Sequence, residues 1–203
     1  DAVGKLGQYD ANWRPAMPEP PVPSTPVAEN LVTTLWVNAL PEIQSGYTLR
    51  SRSVALGLQG AGLRIQAVTA AGFPQGSRRL DRPERRQLGE LDVWRIGGTG
   101  TDLSPGELSA ATATGLARVI DESGSGVLIS TTPYLTAATA LAVARSRKRK
   151  MIYEVRGFLE ETWVSRAGVG AETSELYQRW RDAETRTMRN ADAVVTLSDG
   201  MRD

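Results

Sequence analysis

The chain has 203 residues, is 40% hydrophobic and carries a formal net charge of +1, enough apolar content for a real core and too little charge bias to suggest nucleic acid as a partner. It contains neither cysteine nor histidine, which excludes disulfides, thiolate nucleophiles, imidazole bases and the commonest zinc ligand. Chemistry must therefore rest on carboxylates, hydroxyls, cations or backbone amides, and no metal site is expected.

Six prolines fall within residues 1–30, at positions 15, 18, 20, 21, 23 and 26. They oppose helix and ladder formation, so this stretch reads as a linker or a strap over the domain surface, with Trp13 placed to pin it by burial. Residues 31–203 read as one domain. "LVTTLWVN" has the β-branched and aromatic texture of a first strand. A helix follows, with Ser45 as N-cap, Val54 and Leu58 four residues apart on one face, and Gly60 and Gly62 as its stop. "LRIQAVTA" is the second strand. Gly72 to Gly89 reads as a solvated loop carrying Arg78, Arg79, Arg82, Arg85 and Arg86, with an anionic acceptor or a membrane surface as its functional alternative. "LDVWRI" is the third strand.

Ser104, Pro105 and Glu107 then form a capping box before a helix striped by Leu108, Thr112, Leu116, Val119 and Ile120. "GVLIST" is a very apolar fourth strand, expected at the sheet centre. The alanine-rich "YLTAATALAVAR" is a helix suited to close packing. It closes on "RSRKRK", whose cations suit a helix C-terminus and otherwise read as solvated. "MIYEV" is the fifth strand. The long helix "SELYQRWRDAETRTMRNA" is expected to bury Leu176, Tyr177, Trp180, Ala183 and Met188, with Glu175–Arg179 and Asp182–Arg186 as surface pairs. "AVVTLS" is the sixth strand, and "DGMRD" opens another helix. Strands alternating with helices predict an α/β, Rossmann-like, open and mostly parallel sheet with helices on both faces. Ligands of such sheets bind outside the carboxyl ends of the strands.

Three of those ends hold candidate site residues. Ser45, Gly46 and Tyr47 start a helix, where free N–H groups favour phosphate, although Gly46 alone is more simply a turn glycine. Ser130, Thr131 and Thr132 offer hydroxyls to a sugar or caps to the next helix. In "YEVRGFLEETW", Glu154 and Arg156 share a strand face and are expected to pair, Gly157 permits a sharp turn, and Glu160 and Glu161 sit at a helix start. Glu184 falls on the margin of the buried stripe of the long helix and needs a partner, for which Arg156 is one candidate.

Four stretches together resemble the N-terminal domain of group 1 glycosyltransferases of the GT-B fold. They are "LPEIQSGYTLRSRSVALGLQGAGLRIQAVTAAGFP", "GVLISTTPYLTAATALAVAR", "MIYEVRGFLEETW", which is similar to that family's "YEVRGFWEE" segment, and "YQRWRDAETRTMRNADAVVTLSDGMR". The resemblance spans residues 31–203. It implies a retaining transferase that moves a sugar from a nucleotide-diphosphate donor to an acceptor hydroxyl, with no cofactor in this domain. By position, Ser45, Gly46 and Tyr47 would face donor phosphates and acceptor, and Thr131 and Thr132 would line the acceptor pocket. Glu154, Arg156 and Gly157 would shape the cleft floor, with Glu154 and Glu184 as structural support. The catalytic residues stay unassigned, and the family's frequent histidine near Thr131 is absent.

The implied partners are the nucleotide sugar, a glycan, lipid-linked or small-molecule acceptor, and the protein's own C-terminal domain, expected outside residues 1–203. The chain reads as a slice of a longer cytoplasmic protein, with peripheral membrane contact left open. The alternatives are a non-catalytic Rossmann-like module for partner contact and a nucleotide-dependent epimerase.

Overall fold

The computed structural model describes residues 9–10, 13–21, 25–75, 80–98 and 103–202. Strands β1 (Ala28–Trp36), β2 (Arg64–Thr69), β3 (Glu84–Leu88), β4 (Leu91–Arg95), β5 (Ser125–Thr131), β6 (Lys150–Val155) and β7 (Ala193–Thr196) form one sheet in the order β3-β4-β2-β1-β5-β6-β7. All neighbouring pairs are parallel except β3–β4. Helices α1 (Gly46–Gly60), α2 (Pro105–Ser123), α3 (Tyr134–Ser146), α4 (Leu159–Ala167) and α5 (Glu175–Asn190) complete the α/β arrangement expected from the sequence.

The period-2 alternation of the strands divides the core into two layers. Leu35, Val68, Leu128, Met151 and Tyr153 face α2 and α3, against Leu116, Val119, Ile120 and Val143. Val32, Trp36, Ile65, Ala67 and Val93 face the other way, against Ala55 of α1. Buried small side chains on α3, Ala137, Ala140 and Ala144, let that helix lie close to the sheet.

The N-cap at Ser45 and the capping box at Ser104 form as expected, and the structure adds Thr48 as the second half of a box at Ser45. Ser45 and Thr48 cap α1, and Ser104 and Glu107 cap α2. Several other expectations are corrected. The deepest face of α1 is Thr48, Ser51 and Ala55, not Val54 and Leu58. On α5, Glu184 lies in the buried stripe itself, while Leu176 is exposed. The segment "DGM" is a single 3₁₀ turn, Asp199–Met201.

The loop expected from Gly72 to Gly89 contains β3, an antiparallel edge strand. A two-residue turn joins it to β4 with Leu88 paired to Leu91, and Gly89 takes the left-handed φ of +61° that such a turn demands at its first position. β3 escaped notice because "ERRQL" has no apolar alternation. It is an exposed edge held by cross-strand pairing and by an Arg85–Asp92 ion pair at 2.6 Å. Arg78 and Arg79 lie outside the described residues.

The proline-rich segment rests on the domain. Arg147 is buried; it pairs with Asp121 and donates to the carbonyls of Pro18 and Glu19. Met17 packs on the core, and Trp13 is only half-buried. Hydrogen bonds from arginine to backbone thus do the pinning assigned to Trp13. The run "RSRKRK" is solvated at Arg145, Lys148 and Lys150, as expected, but most of its cations also have partners in the fold. Arg145 and Lys150 pair with Asp192, and Arg149 donates to Thr25. These bonds and the backbone N–H of Met151 hold the Asp192 carboxyl down at about 2, the N–H being the largest cause. Among the described residues, no helix is long and apolar enough to cross a membrane.

Candidate functional site

β1 and β5 lie side by side, with β2 beyond one and β6 beyond the other. The strand order therefore reverses between them, and their carboxyl ends diverge into a crevice, the usual ligand site of an open α/β sheet. A cavity of about 260 Å³ occupies it. One wall is Val37 and Asn38 after β1 with Ser45, Tyr47, Thr48 and Ser51 of α1; the other is Thr131, Thr132 and Pro133 after β5 with Arg156 and Leu159 after β6. A larger groove of about 390 Å³ follows the seam where the strap rests on α3 and α5, and it reaches the strand ends only at Tyr134, the first residue of α3. The crevice is the better candidate, because loops from three strands converge there.

Arg156 is the most heavily engaged residue of the site. Its Nε and Nη2 donate to Glu154 Oε1 and Oε2 at 2.9 and 2.8 Å, and its Nη1 donates to Tyr47 O and Ser51 Oγ at 3.1 and 2.8 Å. Both partners of the ion pair are buried. The parallel fork geometry of guanidinium and carboxylate explains why arginine rather than lysine suits this position. Arg156 thus ties the end of β6 to the first turn of α1 and braces the cavity floor. Its backbone N–H donates to Thr132 Oγ1 at 3.3 Å, and the Thr132 N–H donates to Glu154 O at 3.2 Å, so pairing of β5 with β6 continues past the last strand residue.

Thr131 and Thr132 are buried and line the cavity, but neither caps α3. That role belongs to Glu184 of α5, whose Oε1 accepts from the Tyr134 N–H at 2.9 Å while its Oε2 accepts from the Tyr153 hydroxyl at 2.6 Å. Glu184 therefore partners tyrosine and backbone, not Arg156. Burial is the main force on its carboxyl and pushes it up to about 7; the two donors pull it down and the nearby Glu160 pushes it further up. Glu160, in the first turn of α4, is itself buried and raised, again chiefly by burial. The same burial pushes the Tyr153 and Tyr134 hydroxyls up.

Five of the residues read from the sequence, Ser45, Tyr47, Thr131, Thr132 and Arg156, meet in one cavity. Gly46 and Gly157 adjoin it without lining it. Neither has a left-handed φ, and a Cβ at either would meet nothing within 4 Å. Gly157 thus joins β6 to α4 without a conformation reserved for glycine. Sequence reasoning missed Ser51 and Asn38. Ser51 was findable, since it lies three residues after Thr48 on the same helical face.

Residues 45–203, most of the chain, match the model of a protein family described as the glycosyl transferase 4-like domain. No curated protein matches the chain.

Proposed function

We propose, on the premise that this chain belongs to the glycosyl transferase 4-like family, that it is the acceptor-side domain of an enzyme moving a sugar from a nucleotide-diphosphate donor to an acceptor hydroxyl with retention. The observation that carries the reading is the crevice between β1 and β5, lined by the hydroxyl-bearing residues Ser45, Tyr47, Thr131 and Thr132 together with apolar groups, over a floor braced by Arg156. Such a wall suits a neutral polyol, because each hydroxyl both donates and accepts.

Size argues for a shared site. A cavity of about 260 Å³ lies below the roughly 300–1,000 Å³ of complete small-molecule pockets. It suits one sugar ring better than a whole nucleotide sugar, so the donor needs a second wall, and a C-terminal domain is the natural source. In this reading Thr131 and Thr132 contact the acceptor. The start of α1, at Ser45, Gly46 and Tyr47, faces the donor phosphates with the N–H groups of Gly46 and Tyr47, since the capping box already engages those of Ser45 and Thr48. Gly157 leaves open space beside the floor, and Arg156 contributes its position more than its charge, which Glu154 neutralises. No catalytic residue is assigned. The acceptor is a glycan, a lipid-linked sugar or a small polyol, met on the cytoplasmic side.

The test is transfer of label from a panel of nucleotide sugars by the full-length protein, with analysis of the anomeric product. Retention with at least one donor is expected; epimerised donor without transfer would defeat the reading. Residues 1–203 alone should bind donor weakly without turning it over, and enzyme-like transfer by that fragment would remove the two-domain requirement.

A further inference from the structure

We infer that a second, smaller cavity on the same edge of the sheet is a sugar subsite, which takes the hydroxylated edge of one ring through Arg95 and Glu42. The inference rests on the transferase reading, since that reading brings a sugar to this edge. The cavity measures about 100 Å³ and is lined by Glu42, Phe73, Glu84, Arg86, Arg95 and Gly97, among others. Glu42 belongs to the loop that also carries Ser45. The two cavities therefore flank one loop, the first toward β5 and β6 and the second toward β2 and β4.

Arg95 ends β4 and is buried, with its side chain 8% exposed. Its Nη2 donates to Glu42 Oε2 at 2.7 Å and to Leu40 O at 3.3 Å, and its guanidinium carbon lies 4.8 Å from the centre of the Phe73 ring. Its Nε and Nη1 have no hydrogen-bond partner among the described residues and are closed to bulk water. Charged donors denied both protein and solvent are costly, and a native fold that keeps them calls for an explanation. Arg156 is the internal comparison. It follows β6 much as Arg95 ends β4, it is equally buried, and its Nε, Nη1 and Nη2 all find acceptors. The fold can satisfy an arginine in such a place, and at Arg95 it leaves two nitrogens unused.

The charge of the lining selects the ligand class. Arg95 pairs with Glu42, and Arg86 lies 3.5 Å from Glu84. A phosphate or carboxylate would meet two acids. A diol accepts from Arg95 and donates to Glu42. At roughly 30 Å³ per water, the cavity has room for about three, which matches ring-edge hydroxyls and not a whole ring. Because Nε and Nη1 are closed to solvent, binding turns the guanidinium toward the cavity, with the Glu42 contact as pivot. An acceptor of more than one sugar unit would then span the loop, one unit in each cavity.

The experiment follows the arginine Nε–H resonances of the full chain by ¹⁵N NMR during titration with methyl glucoside, mannoside and galactoside, and separately with inorganic phosphate. At least one glycoside should shift Arg95 saturably. Glu42→Gln, a change at a partly exposed loop position that keeps the fold, should weaken that binding roughly tenfold. A shift by phosphate alone overturns the sugar subsite. So does a glycoside that moves the Arg156 resonance and leaves Arg95 unmoved, a result that preserves the transferase reading. Silence at both arginines, with no sugar transfer by the full-length protein, removes that reading and the subsite with it.

Discussion

Tyr153 and Glu154 are neighbours in the chain and opposites in the fold. As consecutive residues of β6 they point to opposite faces of the sheet. On the α1 face, the Glu154 carboxylate is matched by a guanidinium held in a two-pronged contact. On the α5 face, the Tyr153 hydroxyl donates to a carboxyl with no cation bonded to it among the described residues: the partners of Glu184 are neutral donors, and the charge that acts on it is that of another acid, Glu160. Both carboxyls are buried. The first is matched by a cation; the second resists ionisation until near neutral pH. The difference shows that burial alone does not set the state of an acid, because the charge of the partner decides whether the ionised form is tolerated.

The largest expected effect breaks the matched side. Arg156→Met strands Glu154 without its counter-ion and should cost about 3–5 kcal/mol in urea denaturation, whereas replacing both residues with apolar ones of similar size should cost far less. A double variant as damaged as the single one would mean that the bonds to Tyr47 and Ser51, not the ion pair, hold the floor.

The next effect concerns the unmatched side and depends on pH. The Glu184 carboxyl titrates at about 7 in the fold against 4.5 in the unfolded chain. Between those values the folded state holds more protons, so stability falls as pH rises through that window. Glu184→Gln should abolish this slope. Above the window it should be the more stable protein, by up to about 3 kcal/mol at ~1.4 kcal/mol per pH unit. A wild-type profile flat from pH 4.5 to 7 would show that the acid is ionised throughout.

Tyr153→Phe removes one of the two donors to Glu184. A hydrogen bond to a charged group contributes about 1.5–3 kcal/mol, so a loss near 2 kcal/mol is expected at pH 8 and a smaller one at pH 5. Equal losses at both pH values would show that packing, not the carboxylate, was disturbed. The smallest effect is the reference for all three. The exposed Glu175–Arg179 pair on α5 has a short contact of 2.6 Å, yet Arg179→Ala should cost only about 0.3–0.5 kcal/mol and less in high salt.

Local features were the ones legible in advance. Ser45 and Ser104 cap helices through atoms within three residues of themselves, so the sequence motif contains the whole interaction. The alternation of strands and helices predicted the parallel sheet because each crossover is built from contiguous chain. The candidate site was partly legible, since small and polar residues gather where apolar strands end, at Ser45, Thr131 and Arg156. β3 was not, because an edge strand with a polar sequence is stabilised by its partner across the hairpin. Nor were the partners of Glu184, which lie on β6 and at the start of α3, 31 and 50 residues away.

By itself, then, the sequence determined the six parallel strands and the main helices between them, where two of those helices begin, and which strand ends carry polar groups. Those properties follow from short-range sterics, periodicity and capping. Only the tertiary structure decided that the site lies where β1 and β5 diverge, that Arg156 is engaged on three nitrogens while Arg95 keeps two unused, and that one buried acid is paired and the other is not. Each of these depends on groups brought together from distant parts of the chain. Their energies depend on burial and on the partner met there, and neither is written in the residues alone.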